Sequence, residues 1–365
     1  MPILLTKNNI NWSSLKDWPQ DGQGGHFNTT PPQLEHVRSW IADTLSVMPQ
    51  DILLTEIFAL RPSSVTASFQ IANTQTRVIF KANRVPLFFK SAHVHLQLQE
   101  CCPQAVPKLI HHQIDTSGLW MLFDPIIGKS VQDLGNHSGL IQMAKTIANI
   151  QIAFAKHLKS QTADLPRFQH QIPEMLDFLV KRIQDCYLPL WTKQGGAILK
   201  RRQKERLIKI SSNVVQQLKS ASQKITSWTT ELQAGNWPDS ICHTDLHPGN
   251  AILENNNLRI IDWDQSVVGF PFDAIYWLDT IATEEKWSKD ETETLSVKET
   301  YLKTIPWNSY EDRLRAWELG ERIGRINACY ESEIRNDALH RKNRQGGNIA
   351  SLLINALAHW NTIQE

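Results

Sequence analysis

The spacing of apolar residues divides the chain into a short region of predicted strands and a longer region of predicted helices. A first helix should begin after Thr30, whose hydroxyl can cap it. Its apolar face repeats every three or four residues, at Leu34, Val37, Ile41 and Leu45. From about 51 to 82 the pattern changes to β-branched and aromatic runs, "ILLTEIFAL", "SVTASFQIAN" and "RVIFKAN". These runs predict strands, with "NTQT" as a turn.

A break in the pattern near Pro125 and Gly128 is the candidate domain boundary. Before it, "SAHVHLQLQECC" predicts a helix and "GLWMLFDPIIG" a short strand. After it, helical spacing predicts helices at about 139–158, 173–188, 198–222, 293–305, 310–334 and 348–362. One group of short strands, "SICH", "AIL" and "LRIID", interrupts these helices. We therefore expect an α+β protein with an N-terminal extension (1–50), a strand-rich domain (51–124) and a helical domain (125–365).

Composition excludes several classes of partner. The chain has 365 residues with 38 Lys and Arg against 37 Asp and Glu, so its formal charge of +1 supplies no field to hold nucleic acid or an anionic membrane. The basic run at 200–206 is interpreted as a solvated helix face. The five cysteines form no CxxC pair and are expected to be reduced thiols. With no signal peptide and no apolar stretch of membrane length, we expect a cytoplasmic protein.

The stretch "CHTDLHPGNAIL" (242–253) concentrates polar residues that carry chemistry. His243 and His247 are spaced for zinc only on a helix, and the Pro-Gly that follows favours a turn, which argues against zinc. A polar turn between buried strands would explain the Pro-Gly but not the carboxylates downstream. Magnesium prefers oxygen ligands and one or two carboxylates. The stretch therefore predicts Asp245 as a base, with Asn250 and Asp262 as metal ligands.

These residues also carry a resemblance to a known family. The pattern His243-x-Asp245-x-x-x-x-Asn250, followed by Ile261-Asp262-Trp263, resembles the catalytic loop and metal segment of protein-kinase-like phosphotransferases. The variant "HTDLHPGN…IIDWDQSVVGFPFD" is similar to the aminoglycoside phosphotransferase and choline kinase family, whose G-x-P-x-x-D element is matched by Gly269, Pro271 and Asp273. The resemblance implies a two-lobed kinase-like fold.

The resemblance also implies a nucleotide site in the strand-rich region. Lys81 would contact the nucleotide phosphates, Ser63 and Ser64 would lie in the turn that covers them, and "WMLFDP" with Phe123 would hold the adenine. The family places a glutamate on the next helix to pair with the lysine, but Ser91 stands there in this chain. A different register, another acid such as Glu56, or a different orientation of Lys81 would each account for this departure.

The function implied is transfer of phosphate from ATP or GTP, with Mg²⁺, to a hydroxyl of a small molecule. Asp245 would act as the base, His243 would brace the loop, and His247 would pack the loop or act in the site. Two alternatives stay open: a nucleotide-binding pseudokinase with an interaction role, and a metal-dependent hydrolase that uses His243, Asp245 and His247. Residues on the late helices either shape the acceptor site or lie at the surface: Glu318, Glu321, Arg322, Arg325 and Tyr330.

Overall fold

The protein folds as the α+β structure that the sequence predicts, in a computed structural model. The structure describes residues 34–61, 64–85, 88–115, 118–158, 165, 172–182, 185, 214–284, 296–338 and 356. These residues form two compact units. The strand-rich unit contains the described residues up to Gly135 together with Pro248–Ser266, and the helical unit contains those within Asn136–His247 and Val267–Asp337.

The strand-rich unit is built on an antiparallel sheet of five strands in the order β1-β2-β3-β5-β4. The strands are β1 (Ile52–Arg61), β2 (Ser64–Ile71), β3 (Arg77–Asn83), β4 (Leu109–Asp115) and β5 (Gly118–Phe123). The three predicted N-terminal strands are confirmed. Strand β4 was not predicted, because the polar run His111-His112-Gln113 interrupts its alternation. This polar run is tolerated because β4 lies at the edge of the sheet.

Helix α1 (Leu34–Leu45) covers one face of this sheet. Val37 and Ile41 are fully buried, as the predicted apolar face requires. Trp40 meets Phe80 and Trp120 edge to face, with ring centroids 5.9 and 5.5 Å apart. Such aromatic pairs add about 0.5–1.5 kcal/mol each beyond the area they bury. The predicted cap, Thr30, lies outside the described residues.

The other face of the sheet packs against helix α2 (Ser91–Cys101), which was predicted at this position. Further along the unit, β6 (Lys129–Ser130) pairs with β8 (Ala251–Glu254), and β8 forms a hairpin with β9 (Asn257–Ile260). Asn255 and Asn256 close this hairpin with φ values of 48° and 66°. Asparagine tolerates that left-handed conformation, which allows the two residues to form a tight turn.

The remaining elements are mainly helical. The helices, in chain order, are α3 (Val131–Leu134), α4 (His137–Leu158), α5 (Ile172–Arg182), α6 (Val214–Ala234), α7 (Tyr276–Glu284), α8 (Val297–Thr304) and α9 (Tyr310–Ala338). Short strands β7 (Ser240–Cys242) and β10 (Val267–Gly269) pair with each other in the helical unit. Helices α4, α5, α8 and α9 lie where the pattern placed helices. Helix α6 runs beyond the predicted end at 222, and α7 was missed.

Several predictions fall on residues that the structure does not describe. They are the basic run at 200–206, most of the helix at 348–362 and the cysteine at 186. The cysteines that are described, Cys101, Cys102, Cys242 and Cys329, are thiols and form no disulfide. No helix in the described segments has both the length and the apolar character needed to cross a membrane.

Candidate active site

Lys81 lies between two aspartates of the strand-rich unit. Its Nζ is 2.6 Å from Oδ1 of Asp262 and 2.9 Å from Oδ2 of Asp264. Burial by itself would lower the pKa of Lys81, but the two carboxylates outweigh this effect and raise that pKa. Lys81 is therefore charged at neutral pH.

Asp262 follows the end of β9 in an unusual backbone conformation. Its φ of 64° and ψ of 53° are left-handed, a region that aspartate and asparagine enter more readily than most residues. The next three residues, Trp263–Gln265, form one turn of 3₁₀ helix, and Trp263 is fully buried beneath it. The indole N–H of Trp263 donates to the carbonyl of Ile260 at 2.8 Å. This anchored turn fixes the direction of the Asp262 side chain.

Asn250 lies beside Asp262 at the base of the same hairpin. It ends the 3₁₀ turn Pro248–Asn250 and is buried. One amide and one carboxylate are oxygen donors of the kind that Mg²⁺ takes from proteins. No group of three or more His, Cys, Asp or Glu side chains in the described part of the chain is arranged to hold a metal ion. Asn250 and Asp262 fit Mg²⁺ as donors, and such a cation would take its other ligands from phosphate and water.

A cavity of about 430 Å³ opens beside Lys81 and Asp262 in the same unit. This volume is in the range of small-molecule sites. Much of the wall is apolar: Phe58, Ile79, Pro107, Phe123, Ile126, Ile252 and Ile261. Phe123, which the segment "WMLFDP" predicted as an adenine contact, is part of this wall. Its ring packs against the ring of His95, with the centroids 4.8 Å apart. The cavity therefore combines an apolar wall with charged residues that include Lys81 and Asp262.

The sequence did not identify the other apolar wall residues. Ile79 could have been found from its place two residues before Lys81 on the same face of β3. Phe58 had no such signal, because it enters the wall through a β-bulge. Ile57 pairs with Ala67 and Ala59 with Thr66, which leaves Phe58 as the extra residue.

The residues predicted around Lys81 lie in different places. Ser64 begins β2 opposite Asn83 and is not among the residues that line the cavity. Ser63 lies outside the described residues. Glu56 is exposed on β1, and Lys81 is paired with Asp262 and Asp264 instead. Ser91 is buried at the start of α2, with its Oγ 3.9 Å from Sδ of Met121.

The predicted catalytic loop belongs to the helical unit up to His247. It follows β7, whose Cys242 pairs with Val267 of β10. His243 is only 2% exposed, which suits a residue that braces the loop. Asp245 and His247 are half-buried, and Leu246 between them is buried. The loop therefore has buried residues, His243 and Leu246, and more accessible polar residues, Asp245 and His247.

A buried network holds the strand that leads into this loop. Gln151 of α4 donates through Nε2 to the carbonyl oxygens of Ile241 (3.1 Å) and Pro271 (2.9 Å). Its Oε1 accepts from the hydroxyl of Tyr301 at 2.6 Å, and its carbonyl accepts from Ser240 at 2.7 Å. Burial raises the pKa of Tyr301 well above its usual value, so this hydroxyl remains a donor. Each of these bonds replaces a hydrogen bond to water that the polar group loses when it is buried.

The G-x-P-x-x-D element is tied to helix α9. Oδ2 of Asp273 accepts from Nδ2 of Asn327 at 3.0 Å. A side chain at Gly324 would place its Cβ 2.3 Å from the carbonyl oxygen of Asp273, so only glycine allows this approach. Asp273 thus links the element to α9 through its side chain and its backbone.

The late-helix residues considered for the acceptor site contact one another and neighbouring aromatic rings. Arg325 pairs with Glu321 at 2.8 Å and lies 5.4 Å from the ring centre of Tyr276. Arg322 lies 4.0 Å from Glu318 and 5.1 Å from the ring centre of Trp228. Tyr330 packs against Phe178, with centroids 5.4 Å apart.

These features define a protein-kinase-like phosphotransferase: a five-stranded antiparallel sheet with a lysine on its third strand, a His-x-Asp loop and an Ile-Asp-Trp segment. Residues 88–288 match the model of the phosphotransferase enzyme family, APH. This match spans more than half of the chain, and the protein belongs to that family. The resemblance read from the sequence is confirmed.

Solved structures show the same fold at low identity. An ethanolamine kinase from Plasmodium vivax has a TM-score of 0.56 and 13% identity, over 98% of this chain and 96% of that chain. A choline kinase from Cryptosporidium parvum Iowa II has a TM-score of 0.50 and 13% identity, over 89% and 99% of the two chains. The aminoglycoside phosphotransferase APH(4)-Ia has a TM-score of 0.50 and 14% identity, over 88% and 98%. A comparison with curated proteins finds no match.

Proposed function

We propose that this protein transfers the terminal phosphate of ATP or GTP to a hydroxyl of a small molecule. The observation that carries the proposal is the pairing of Lys81 with Asp262 at 2.6 Å beside the 430 Å³ cavity. The charged lysine suits the phosphates of a nucleotide, the acid suits their metal ion, and the apolar wall of the cavity suits the base. Family membership supports phosphate transfer as the reaction.

Each residue has one task in this proposal. Lys81 contacts the phosphates, and Phe123 with its apolar neighbours packs against the base. Asn250 and Asp262 would hold Mg²⁺, which neutralises charge on the phosphate oxygens when bound. Catalysis of this kind depends mainly on positioning and charge neutralisation.

Asp245 orients the acceptor hydroxyl and takes its proton as the oxygen–phosphorus bond forms. The proton of the hydroxyl moves to the Asp245 carboxylate, and the nucleoside diphosphate leaves. His243 is buried and braces the loop by hydrogen bonds rather than by transferring a proton. The relatives named above act on small alcohols and on aminoglycosides, which supports an acceptor of small size.

The experiment is a transfer screen with γ-labelled ATP and GTP over sugars, amino alcohols, antibiotics and peptide natural products. Thermal unfolding with Mg²⁺ and each nucleotide accompanies it, and the Asp245→Asn protein is the matched control. Nucleotide at 100 times its Kd should stabilise the fold by about 2.7 kcal/mol. Labelled product with the wild type and not with the control supports the proposal.

The other outcomes separate the alternatives. Stabilisation by nucleotide without transfer to any acceptor class would favour a pseudokinase. Absence of both stabilisation and transfer would reject the nucleotide site itself. Metal retained on purification and lost in His243→Ala would favour a hydrolase.

A further inference from the structure

We infer that Asp264 is the residue that positions Lys81, in the place of the glutamate that the family carries on the next helix and that the described helix α2 does not have in its first turn. The inference rests on the proposed role of Lys81 in binding nucleotide phosphate. It assigns a positioning role to the second acid of the segment "IDWD", whereas the first acid, Asp262, is the proposed metal ligand.

The two aspartates around Lys81 differ in accessibility. The side chain of Asp264 is 7% exposed and that of Asp262 is 39% exposed, while Lys81 itself is 13% exposed. Asp262 lines the cavity, and Asp264 does not. Asp264 therefore contacts the lysine from the protein interior, and Asp262 contacts it from the side that faces the cavity.

Asp264 is itself held by a second residue of the lysine strand. Asn83 follows Lys81 by two residues, so both side chains leave β3 on the same face. Nδ2 of Asn83 donates to Oδ2 of Asp264 at 2.9 Å, and this oxygen also faces the lysine. Oδ1 of Asn83 accepts from the backbone N–H of Val85 at 3.1 Å, which fixes the orientation of the amide. The carboxylate is thus fixed before any ligand binds.

Helix α2 offers no acid for the same task. It begins at Ser91, has no acidic residue in its first turn, and its acid Glu100 is exposed near the other end. Ser91 touches Met121, which pairs across the sheet with Lys81, so the start of the helix lies next to the lysine. The 3₁₀ turn Trp263–Gln265 packs against this helix. Asp264 belongs to that turn, and its carboxylate contacts Lys81 where an acidic residue at the start of α2 would otherwise do so.

This arrangement separates two tasks that would otherwise compete for one carboxylate. Asp264 holds Lys81 in position, and Asp262 would therefore be available to hold a metal ion. Without Asp264, the remaining acidic partner of Lys81 is Asp262. The lysine would then compete with the metal and turn away from the phosphates.

The test is Asp264→Asn, alone and combined with Lys81→Met. Loss of a residue that orients a ligand-binding group costs on the order of 10- to 100-fold. We expect kcat/KM for nucleotide to fall by about that factor, and nucleotide affinity measured by calorimetry without metal to fall as well. In the Lys81→Met background, Asp264→Asn should cause no further loss, because it acts through the lysine. Asp43→Asn, an exposed aspartate on α1, is the matched control.

Asn83→Ala provides a second variant in case Asp264→Asn does not fold. It removes the donor that fixes Asp264, so a smaller loss of the same parameters is expected, again absent in Lys81→Met. An additive loss in the Lys81→Met background, or full recovery at high Mg²⁺, would overturn the inference and make Asp264 a metal ligand. Wild-type turnover of Lys81→Met would instead reject the proposed role of the lysine. The two failures are therefore distinguishable.

Discussion

The backbone N–H of Ile261 donates to the carbonyl oxygen of Asn250 at 2.9 Å. This bond continues the β8–β9 pairing by one step beyond Ala251 and Ile260. It fixes Asn250 next to Asp262, although twelve positions separate them in the sequence. The β8–β9 hairpin, which turns at Asn255 and Asn256, thus brings together the two proposed metal ligands.

Replacing Lys81 with Ala should weaken nucleotide binding and transfer together. The ammonium is the positive group beside the cavity, and charge-assisted hydrogen bonds to phosphate are among the strongest that side chains make. We expect kcat/KM for nucleotide to fall by about 10²-fold or more, with circular dichroism unchanged. Lys145→Ala, an exposed lysine on α4, is the control and should retain wild-type kinetics. An unchanged KM and kcat would show that another lysine contacts the phosphates.

Replacing Asp262 with Asn should damage both productive nucleotide binding and turnover. Asparagine tolerates the left-handed backbone at this position, with φ 64°, so the change removes charge without adding strain. The Mg²⁺ concentration that gives half-maximal rate should rise, since a charged ligand is lost. Kinetics over a range of Mg²⁺ concentrations measure this effect. A wild-type Mg²⁺ dependence would argue against Asp262 as a ligand.

Replacing Asp245 with Asn should separate turnover from nucleotide binding. The amide keeps the shape of the side chain but cannot take a proton. We expect kcat to fall by about 10²–10⁴-fold, with nucleotide affinity nearly unchanged. The comparison variant is Asp239→Asn, an exposed residue just before β7. Wild-type turnover of Asp245→Asn would contradict the catalytic-loop interpretation of "CHTDLHPGNAIL".

Replacing Gly118 with Ala should destabilise the strand-rich unit. Gly118 has φ +124°, and a Cβ there would lie 2.4 Å from the carbonyl oxygen of Asn83. Strain of this kind costs about 1–3 kcal/mol, and the contact adds to it. Gly135→Ala is the matched control, because Gly135 also has positive φ (+59°) but nothing within 4 Å of the added Cβ. Denaturant unfolding should therefore show the larger loss for Gly118→Ala.

The pairing of Glu231 with Arg315 should contribute stability that depends on pH. Nε and Nη2 of Arg315 donate to the two carboxylate oxygens of Glu231 at 2.6 and 2.8 Å. These hydrogen bonds lower the pKa of Glu231, so the contribution is present above the usual glutamate range and is lost as pH falls through the lowered value. Both side chains are 43% exposed, which limits the effect to about 1 kcal/mol or less. Glu231→Gln should therefore lower the free energy of unfolding at pH 7 and have less effect at acidic pH.

The sequence by itself determined the family of the protein and supplied the residues proposed here to carry its chemistry. Runs of β-branched and aromatic residues specified β1, β2 and β3, because these residue types fit a pleated, half-buried strand. Spacing alone placed Asp245, Asn250 and Asp262 in one motif, since these residues are close along the chain. Family membership, read from the same motif, is confirmed.

Only the tertiary structure decided which residues approach Lys81. Asp262 lies 181 positions after Lys81 in the sequence, and Asp264 lies two positions beyond Asp262. No local pattern encodes contacts over such a separation. Glu56 was one candidate partner of Lys81 at the level of the sequence, but its side chain is exposed on β1. The bulge that turns Phe58 into the cavity and the edge position that tolerates β4 also depend on pairing between strands. Propensity and periodicity report on neighbours within a turn or a strand, whereas these contacts are set by how distant segments pack.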